Sequence, residues 1–202
     1  MASPSPASWH QVYTILETPQ IPWNAGGPDS DLVRLVESGR IKPGRAVDLG
    51  SGLGWDAIFL AGRGFSVLAA DIAASAVSMA KGNAGLAQVA EKIEFQTVDA
   101  LTLALPLASV DFVNDRGLFH FLDAAAQKRY LELVSHALKR DGLFLLRTFS
   151  EKEPIGPGPR RYSLKELEAV FSPRFDFLET KEGVFEGPQK PKAILCLLRK
   201  RS

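Results

Sequence analysis

The chain has 202 residues, and 46% of them are hydrophobic, so it suits one globular domain and is too apolar to be disordered. Its 24 Lys and Arg against 23 Asp and Glu give a formal net charge of +1, which argues against a strongly basic nucleic-acid binder. The single cysteine, Cys196, excludes an internal disulfide and a multi-cysteine zinc site. No apolar run approaches the ~18–20 residues of a membrane helix. Residues 1–8 lack the basic and apolar regions of a signal peptide. We therefore expect a soluble, cytoplasmic protein.

The N-terminal region precedes the first predicted strand. Residues 1–8 are rich in Ser, Pro and Ala and are predicted to be a mobile tail, and residues 8–17 have helical spacing. Residues 18–28 contain three prolines, two glycines and Trp23, and are predicted to be a loop. Asp29 can cap a helix that ends near Glu37. We expect residues 1–28 to form a tail and a lid segment, and residues 29–202 to form a single domain.

From residue 42 onward, short apolar strands alternate with helices. Crossover connections of this kind predict an α/β fold with a doubly wound, mostly parallel seven-stranded sheet, Rossmann-like in arrangement. No helix is predicted between the last two strands, so they should pair antiparallel at one edge. The predicted strands are residues 46–49, 65–70, 93–98, 110–113, 143–149, 175–181 and 193–199, and the predicted helices are 54–61, 73–84, 123–139 and a short one from Ser163.

A glycine-rich loop that carries acids follows the first predicted strand. From Asp48 to Asp56 it contains Gly50, Gly52 and a third glycine, which permit a sharp turn and close approach of a ligand to the backbone. A dinucleotide-binding fingerprint requires glycine at position 55, where this chain has Trp55, so a nicotinamide oxidoreductase is disfavoured. An acid at position 48 repels a pyrophosphate but attracts a cation.

Two further acids follow the next two strands. Asp71 is placed to accept hydrogen bonds from a ribose diol, and Asp99, followed by Ala100, can accept from an exocyclic amine such as that of adenine. Each acid alone is also consistent with a solvated strand end or a helix cap. Acids at three successive strand ends beside a glycine loop favour a nucleoside-containing cationic ligand.

The segment 46–54, with Asp71 and Asp99, resembles the first three motifs of the class I S-adenosylmethionine-dependent methyltransferases, and the resemblance extends over residues 45–199. It implies S-adenosyl-L-methionine as cofactor, with the loop glycines against its methionine part and Asp48 near its ammonium group. It also implies that Asp71 binds the ribose hydroxyls. The cofactor-binding residues implied in this way are Trp23, Asp48, Gly50, Gly52, Asp71, Ile72, Asp99, Ala100 and Asn114.

Three shorter segments, around Trp23, at residues 115–120 and at residues 162–167, are similar to the group that includes thiopurine and tellurite-resistance methyltransferases. In that group the N-terminal Trp segment covers the cofactor, and the Arg of the Asp-Arg-Gly turn faces the acceptor. The resemblance therefore implies that residues 13–28 form a lid and that Arg116 contacts the acceptor. The group also includes enzymes that act on phenolic, quinoline-type or halide acceptors.

The end of the fourth strand, residues 114–120, should lie beside the transferred methyl group. It lacks an Asn/Asp-Pro-Pro-Tyr motif, which argues against DNA bases and protein glutamine as acceptors. Arg116 can hold an anionic acceptor, or it can instead pair with Asp115 or another acid. His120 can act as a base, or it can instead pack under the sheet. We expect Arg116 and His120 to be catalytic, and the substrate-binding residues to be Trp23, Arg116, Phe119 and Phe149.

Methyl transfer from a sulfonium needs alignment and water exclusion more than it needs a metal or a strong base. We therefore expect a small-molecule acceptor with a soft or acidic nucleophile: a thiol, chalcogenide, phenol or N-hydroxy heteroaromatic. We expect no metal, nucleic-acid or membrane partner, and the oligomeric state is open. The alternatives are a methyltransferase for a protein or RNA, and a non-catalytic S-adenosylmethionine-binding module.

Overall fold

Helices and strands alternate along residues 6–156 and 158–201, the parts of the chain described by a computed structural model. The helices in these residues are α1 (Pro6–Ile15), α2 (Ser30–Glu37), α3 (Trp55–Gly62), α4 (Ala74–Leu86), α5 (Ala124–Ala137) and α6 (Leu164–Phe171). The strands are β1 (Arg45–Leu49), β2 (Ser66–Asp71), β3 (Ile93–Thr97), β4 (Val110–Arg116), β5 (Leu138–Phe149), β6 (Phe175–Val184) and β7 (Lys192–Lys200).

The strands form one seven-stranded sheet in the order β3-β2-β1-β4-β5-β7-β6. Strands β1 to β5 are parallel, and β7 lies between β5 and β6 and is antiparallel to both. This confirms the predicted doubly wound, mostly parallel sheet with an antiparallel C-terminal pair. The order reverses between β1 and β4, so the carboxyl ends of these two strands flank the crevice where such sheets bind ligands.

Apolar layers cover both faces of the sheet. On one face, Tyr130 of α5 and Phe171 of α6 pack against strand residues such as Phe144. On the other, Leu32 of α2 and Leu60 of α3 pack against further strand residues. Burial on both faces explains why the central strands are apolar runs without alternation. Within residues 6–156 and 158–201, no helix combines the length and apolarity that a lipid bilayer requires.

Three predicted boundaries differ from the structure. Residues 6–8 belong to helix α1, while residues 1–5 of the predicted tail lie outside the described residues. Strand β4 continues past Val113 to Arg116, because its polar residues stay in register with β5. Strand β5 begins directly after α5, so the predicted turn at residues 141–142 lies inside the strand, where Asp141 has a φ of 59°.

The N-terminal segment, residues 6–28, lies on the carboxyl edge of the sheet. Tyr13 and Ile21 form an apolar cluster with Leu53 of the glycine loop and with Ala73 and Ala76 at the start of α4. Ile21 is fully buried in this cluster. The segment therefore covers the loop and the helix that follow β1 and β2.

Candidate active site

The loop between β1 and α3 depends on its glycines. Gly50, Gly52 and Gly54 have φ values of +69°, +52° and +79°, which L side chains rarely adopt. A Cβ at Gly50 would lie 3.0 Å from the Leu118 Cβ, and a Cβ at Gly52 would lie 3.1 Å from the Tyr13 hydroxyl. The loop is thus closely packed between the turn after β4 and the N-terminal segment. Side chains at Gly50 and Gly52 would press against Leu118 and Tyr13.

Two buried carboxylates share one amide beside the loop. Asp48 and Asn114 are register partners on β1 and β4, and Asn114 Nδ2 donates to Asp48 Oδ1 at 2.9 Å and to Asp56 Oδ2 at 3.1 Å. Burial, with the charge of Asp56 as the second cause, raises the pKa of Asp48 above its ordinary value. Asp48 Oδ2 and Ser51 Oγ are buried without a hydrogen-bond partner among the described residues. A cationic group with N–H donors would satisfy these acceptors.

Asp71 ties the glycine loop to the end of β2. Its Oδ2 accepts from the Gly52 N–H at 2.8 Å, and its Oδ1 accepts from the Ala73 N–H at 2.9 Å. Burial raises the pKa of Asp71, and the backbone donors, including the N–H of half-buried Ile72, oppose that shift. Each carboxylate oxygen has a further lone pair, so the side chain can also accept from hydroxyl groups.

Asp99 follows β3 and begins a single turn of 3-10 helix. Its Oδ1 accepts from the Leu101 N–H at 2.9 Å, so the helix-cap interpretation accounts for one of its two oxygens. Its side chain is exposed, and Ala100 beside it is buried. The carboxyl edge thus presents three carboxylates, those of Asp48, Asp71 and Asp99, with oxygens that can accept further hydrogen bonds. These acceptors fit a cationic ligand that carries hydroxyl and amino groups, as S-adenosylmethionine does.

The guanidinium of Arg116 is bonded on all three sides. Its Nε donates to Asp29 Oδ2 at 3.3 Å, its Nη1 to the Trp23 carbonyl at 3.4 Å, and its Nη2 to the Glu186 carbonyl at 2.8 Å. The ion pair considered from the sequence is therefore present, but its acid is Asp29 and not Asp115. Arg116 joins the N-terminal segment, the start of α2 and the loop after β6 to the end of β4.

A second buried arginine, Arg147 on β5, completes this network and was not predicted from the sequence. Its Nη2 donates to Asp29 Oδ1 at 2.9 Å and to Asp31 Oδ2 at 2.8 Å, and its Nη1 donates to the Val184 carbonyl at 2.8 Å. Asp29 also caps α2 by accepting from backbone N–H groups, as predicted. The sequence signal that could have identified Arg147 is its position as the one charged residue in the apolar segment 143–149. A charge in a buried strand requires a partner of opposite charge.

The turn after β4 is organised by Asp115. Its carboxylate accepts from the N–H groups of Gly117 and Leu118 at 3.0 and 2.7 Å, and from the Tyr130 hydroxyl at 2.6 Å. Burial raises the pKa of Asp115 to about 6 despite these donors. Asp115 therefore has a positioning function for the residues that follow it in the turn.

His120 lies in that turn with only 4% of its surface exposed. Its Nδ1 accepts from the Phe149 N–H at 3.2 Å. The ring centroids of Phe121, Phe149 and Phe185 lie 4.8, 4.9 and 5.7 Å from its own, each in an edge-to-face arrangement. Burial lowers the pKa of His120 to about 3, so the ring is neutral at physiological pH.

The aromatic residues at the turn differ in part from those expected. Phe119 is fully buried between Tyr130, Tyr162 and Phe171, so the expectation that it walls an acceptor pocket is not met. Phe149 is half-buried and lies beside the His120 ring. Trp23 is half-buried too, and with Trp9 and Phe121 it forms an edge-to-face series with centroids 5.4 and 4.9 Å apart. The aromatic residues next to His120 that the sequence did not indicate are Phe121 and Phe185.

The described residues contain no metal-binding cluster and no reactive thiol. No group of three or more His, Cys, Asp or Glu side chains there is arranged to hold a metal ion. Cys196 is buried in β7, and burial raises the pKa of its thiol to about 12, which keeps it protonated. The remaining histidines, His10 and His136, are exposed and take no part in the hydrogen-bond network of Arg116 and Arg147.

Sequences similar to this chain include methyltransferases. The chain is 26% identical over 173 residues to probable thiol methyltransferase 2 of Arabidopsis thaliana, a match that covers 86% of this chain and 75% of that protein. It is 27% identical over 156 residues to 2-heptyl-1-hydroxyquinolin-4(1H)-one methyltransferase of Mycobacteroides abscessus, covering 75% and 66% of the two chains.

Solved structures share the fold. A protein from work on the conversion of a disulfide bond into a thioacetal group during echinomycin biosynthesis superposes with a TM-score of 0.81 at 22% identity, covering 96% of this chain and 92% of that one. Burkholderia thailandensis 1,6-didemethyltoxoflavin-N1-methyltransferase, solved with 1,6-didemethyltoxoflavin and S-adenosylhomocysteine, gives 0.68 at 22% identity, covering 85% and 77%. The family described as Thiopurine S-methyltransferase (TPMT) matches residues 5–196. With nearly the whole chain matched, this protein belongs to the thiopurine S-methyltransferase family.

Proposed function

We propose that this enzyme methylates a small molecule whose reacting atom is a soft or acidic nucleophile: a thiol, chalcogenide, phenol or N-hydroxy heteroaromatic. As a member of its family, the chain is an S-adenosylmethionine-dependent methyltransferase. The observation that carries the acceptor class is the aromatic surroundings of the turn after β4, where burial keeps His120 neutral. An acceptor that ionises unaided fits such surroundings better than an alcohol or an amide, which needs a strong base.

The cofactor would be held on the glycine-loop side of the edge. When bound, S-adenosylmethionine supplies a methyl group attached to a positively charged sulfur, and this sulfur is the leaving group, as a neutral thioether. Asp48 and Ser51 offer their unpartnered oxygens to its ammonium group, and Asp71 accepts from the ribose hydroxyls. Asp99 and Ala100 form the adenine end of the site. Trp23, Ile72 and Asn114 complete the proposed set of contacts.

The acceptor would lie between the turn after β4 and the N-terminal segment. Trp23, Phe149 and Phe185 supply apolar walls, and the rings of His120, Phe149 and Phe185 contact one another. Arg116 contributes by holding these segments together, because each side of its guanidinium is bonded to a different segment. Alignment of acceptor and methyl group can supply ~7–11 kcal/mol of the barrier.

The N-terminal residues 6–28 would act as a lid above a single domain formed by residues 29–202. Tyr13 lies against the glycine loop, its hydroxyl accepts from Trp23 Nε1 at 3.0 Å, and the Trp23 carbonyl accepts from Arg116. This segment therefore touches both the proposed cofactor side and the proposed acceptor side. A segment in that position excludes water and must open to admit ligands.

The names of two relatives agree with this acceptor class. A thiol and an N-hydroxyquinolone are both acids that ionise more readily than an alcohol. A protein or RNA acceptor has no specific support from the described surface and is an outcome of the test.

The test is a methyl-transfer assay on the purified full chain. S-adenosylhomocysteine formation is measured with thiophenol, a hydrogen chalcogenide, 4-nitrophenol and an N-hydroxyquinolone, and in parallel with total protein and total RNA. We expect turnover with members of the small-molecule panel. Methylation of protein or RNA alone would overturn the proposed acceptor class, and failure to bind S-adenosylhomocysteine would contradict the cofactor site.

A further inference from the structure

The hydrogen bond made by His120 defines where its proton lies. The Phe149 backbone N–H donates to Nδ1 at 3.2 Å, so Nδ1 uses its lone pair and carries no hydrogen. A neutral imidazole has one N–H, which must then be on Nε2. A protonated ring would have N–H groups on both nitrogens, and the one at Nδ1 would oppose the Phe149 N–H. His120 thus presents an N–H donor at Nε2 and has no lone pair there to accept a proton.

Nε2 is free to meet a ligand. It has no hydrogen-bond partner in the described residues, and it is not among the polar atoms that are sealed from solvent without a partner. A Cβ at Gly117 would lie 3.5 Å from it, so the glycine keeps the space beside Nε2 open. In the same turn, Leu118 contacts the glycine loop at Gly50. The free N–H therefore belongs to the turn that adjoins the proposed cofactor side.

Several charged side chains on the segments around His120 have described partners elsewhere. Arg116 and Arg147 are held by Asp29, and Arg160 pairs with Glu166. Asp115 is bonded to Tyr130, and Glu186 accepts from the Ser30 N–H. Arg161 donates from its two Nη groups to the Pro159 and Pro154 carbonyls, while its Nε is buried without a partner among the described residues. Since none of these groups is directed to Nε2 by a described contact, the donor faces its ligand without a competing charge.

We propose that His120 donates its Nε2–H to the reacting atom of the acceptor, so that the enzyme selects acceptors that arrive as anions: thiolates, phenolates or N-oxide anions. The inference rests on the proposed function, and it replaces the role of His120 as a base with a role as a hydrogen-bond donor. An N–H donor orients an anion and favours it over a neutral hydroxyl or thiol, because the charge-assisted hydrogen bond to the anion is shorter and stronger.

The transfer balances without a protein base. A lone pair of the acceptor anion forms the new bond to the methyl carbon, and the electron pair of the broken sulfur–carbon bond remains on sulfur. The acceptor loses its negative charge and the sulfur its positive charge, so no proton has to leave. The hydrogen bond from Nε2 positions the anion for this in-line attack.

The first test reads the tautomer directly in the free protein. Two-bond 15N–1H correlation spectra of the full chain, with His120 signals assigned by their loss in His120→Gln, should show hydrogen on Nε2. Titration with 4-nitrophenolate should shift the Nε2 resonance, and titration with neutral benzyl alcohol should leave it in place. Hydrogen on Nδ1, or no response to the phenolate, would overturn the proposal whether or not the enzyme turns over.

The second test uses substituted thiophenols and phenols whose own pKa values span the assay range. In the wild type, kcat/KM should rise with pH through the pKa of each acceptor, and the rise should move with the acceptor. His120→Phe keeps an aromatic ring without a donor and should lower kcat/KM by about 10- to 100-fold at every pH. His120→Gln should recover part of the loss, since its amide can donate from a position near Nε2. His136→Gln, at an exposed histidine, is the matched control and should match the wild type.

The alternatives give different results. A base would produce a rise common to all acceptors, and the loss in His120→Phe would be greatest at low pH. A residue that only packs would leave the kcat/KM of the folded His120→Phe enzyme unchanged. Either pattern would overturn the donor role. If the wild type forms no S-adenosylhomocysteine with any acceptor, the proposed function fails, and the tautomer and titration data still decide the donor role.

Discussion

On the glycine-loop side of the carboxyl edge (residues 48–54 with Asp71 and Asp99), Asp71 and Asp99 each accept from a backbone N–H two residues further along the chain, while Asp48 depends on a distant residue, Asn114. On the β4-turn side (residues 115–121 with Phe149 and Phe185), Arg116 and His120 are bonded to segments far apart in the chain. Asp71, for example, is held by the adjacent Ala73 N–H and by the loop, whereas Arg116 bonds to residues 70 to 93 positions away.

This difference indicates where specificity resides. The glycine-loop side retains buried acceptors without partners, Asp48 Oδ2 and Ser51 Oγ, which suits one fixed cofactor. The β4-turn side is a frame of aromatic rings tied by buried ion pairs. The aromatic residues of this frame can be replaced by others without loss of the fold, because the ion pairs hold it together. Acceptor choice can therefore vary while the cofactor site stays constant.

The largest expected effect comes from the ion pairs that hold the β4-turn side. Arg147→Met removes a buried cation and leaves Asp29 and Asp31 with fewer partners, and it should lower the free energy of unfolding by about 3–5 kcal/mol. Urea denaturation measures this. Arg63→Met removes an exposed pair with Glu37 and is the control, with an expected change within about 1 kcal/mol. Equal effects from the two variants would mean that the buried network does not hold this side together.

The lid connects the two sides, so removing it should impair catalysis more than folding. Deletion of residues 1–28 should leave a folded core, and kcat/KM should fall by about 100-fold or more because water enters and alignment is lost. The double variant Trp9→Ala/Trp23→Ala removes the paired rings of the lid. Ile15→Ala is its control, because the Ile15 side chain lies on the same segment and is 74% exposed. Full activity in the truncated chain, with circular dichroism showing it folded, would remove the lid from the mechanism.

A smaller effect should appear as proton release on the glycine-loop side. Burial raises the pKa of Asp48 above its ordinary value, so part of the free enzyme carries a proton there near neutral pH. A bound cation lowers that pKa, so binding should release up to about one proton and should strengthen as pH rises towards the raised pKa. Calorimetry of S-adenosylmethionine binding in buffers of different ionisation enthalpy measures the release. Asp48→Asn should abolish it, and release unchanged in that variant would assign the proton to another group.

Local motifs explain why the fold and the glycine-loop side could be predicted. The mostly parallel sheet follows from alternating apolar strands and helices, and Gly50, Gly52 and Asp71 lie in or beside loops whose geometry is set by nearby residues. The polar end of β4 was misjudged because pairing with β5 keeps Asn114 in a strand that its local propensity disfavours. Asp141 lies in β5 between Leu138 and Leu143, where the register with β4 shifts.

The β4-turn side could be predicted only in part. Arg116 and His120 were recognised as important, but their partners depend on long-range packing that a sequence pattern does not carry. Asp29 lies 87 residues from Arg116, and Phe149 lies 29 residues from His120. Phe119 and Phe121 are both apolar neighbours of His120 in sequence, and only the packing of α5 and α6 decides that Phe119 belongs to the core.

The central claim is that cofactor binding and acceptor selection reside on separate sides of the edge. The most direct measurement is titration calorimetry of S-adenosylhomocysteine with Asp71→Asn and His120→Phe side by side. We expect Asp71→Asn to weaken binding by about 10- to 100-fold, because it removes a charged acceptor of hydrogen bonds. His120→Phe should bind within about twofold of the wild type, since it alters no group on the glycine-loop side and leaves those hydrogen bonds intact. Unchanged affinity in folded Asp71→Asn, or a comparable loss in His120→Phe, would contradict this division.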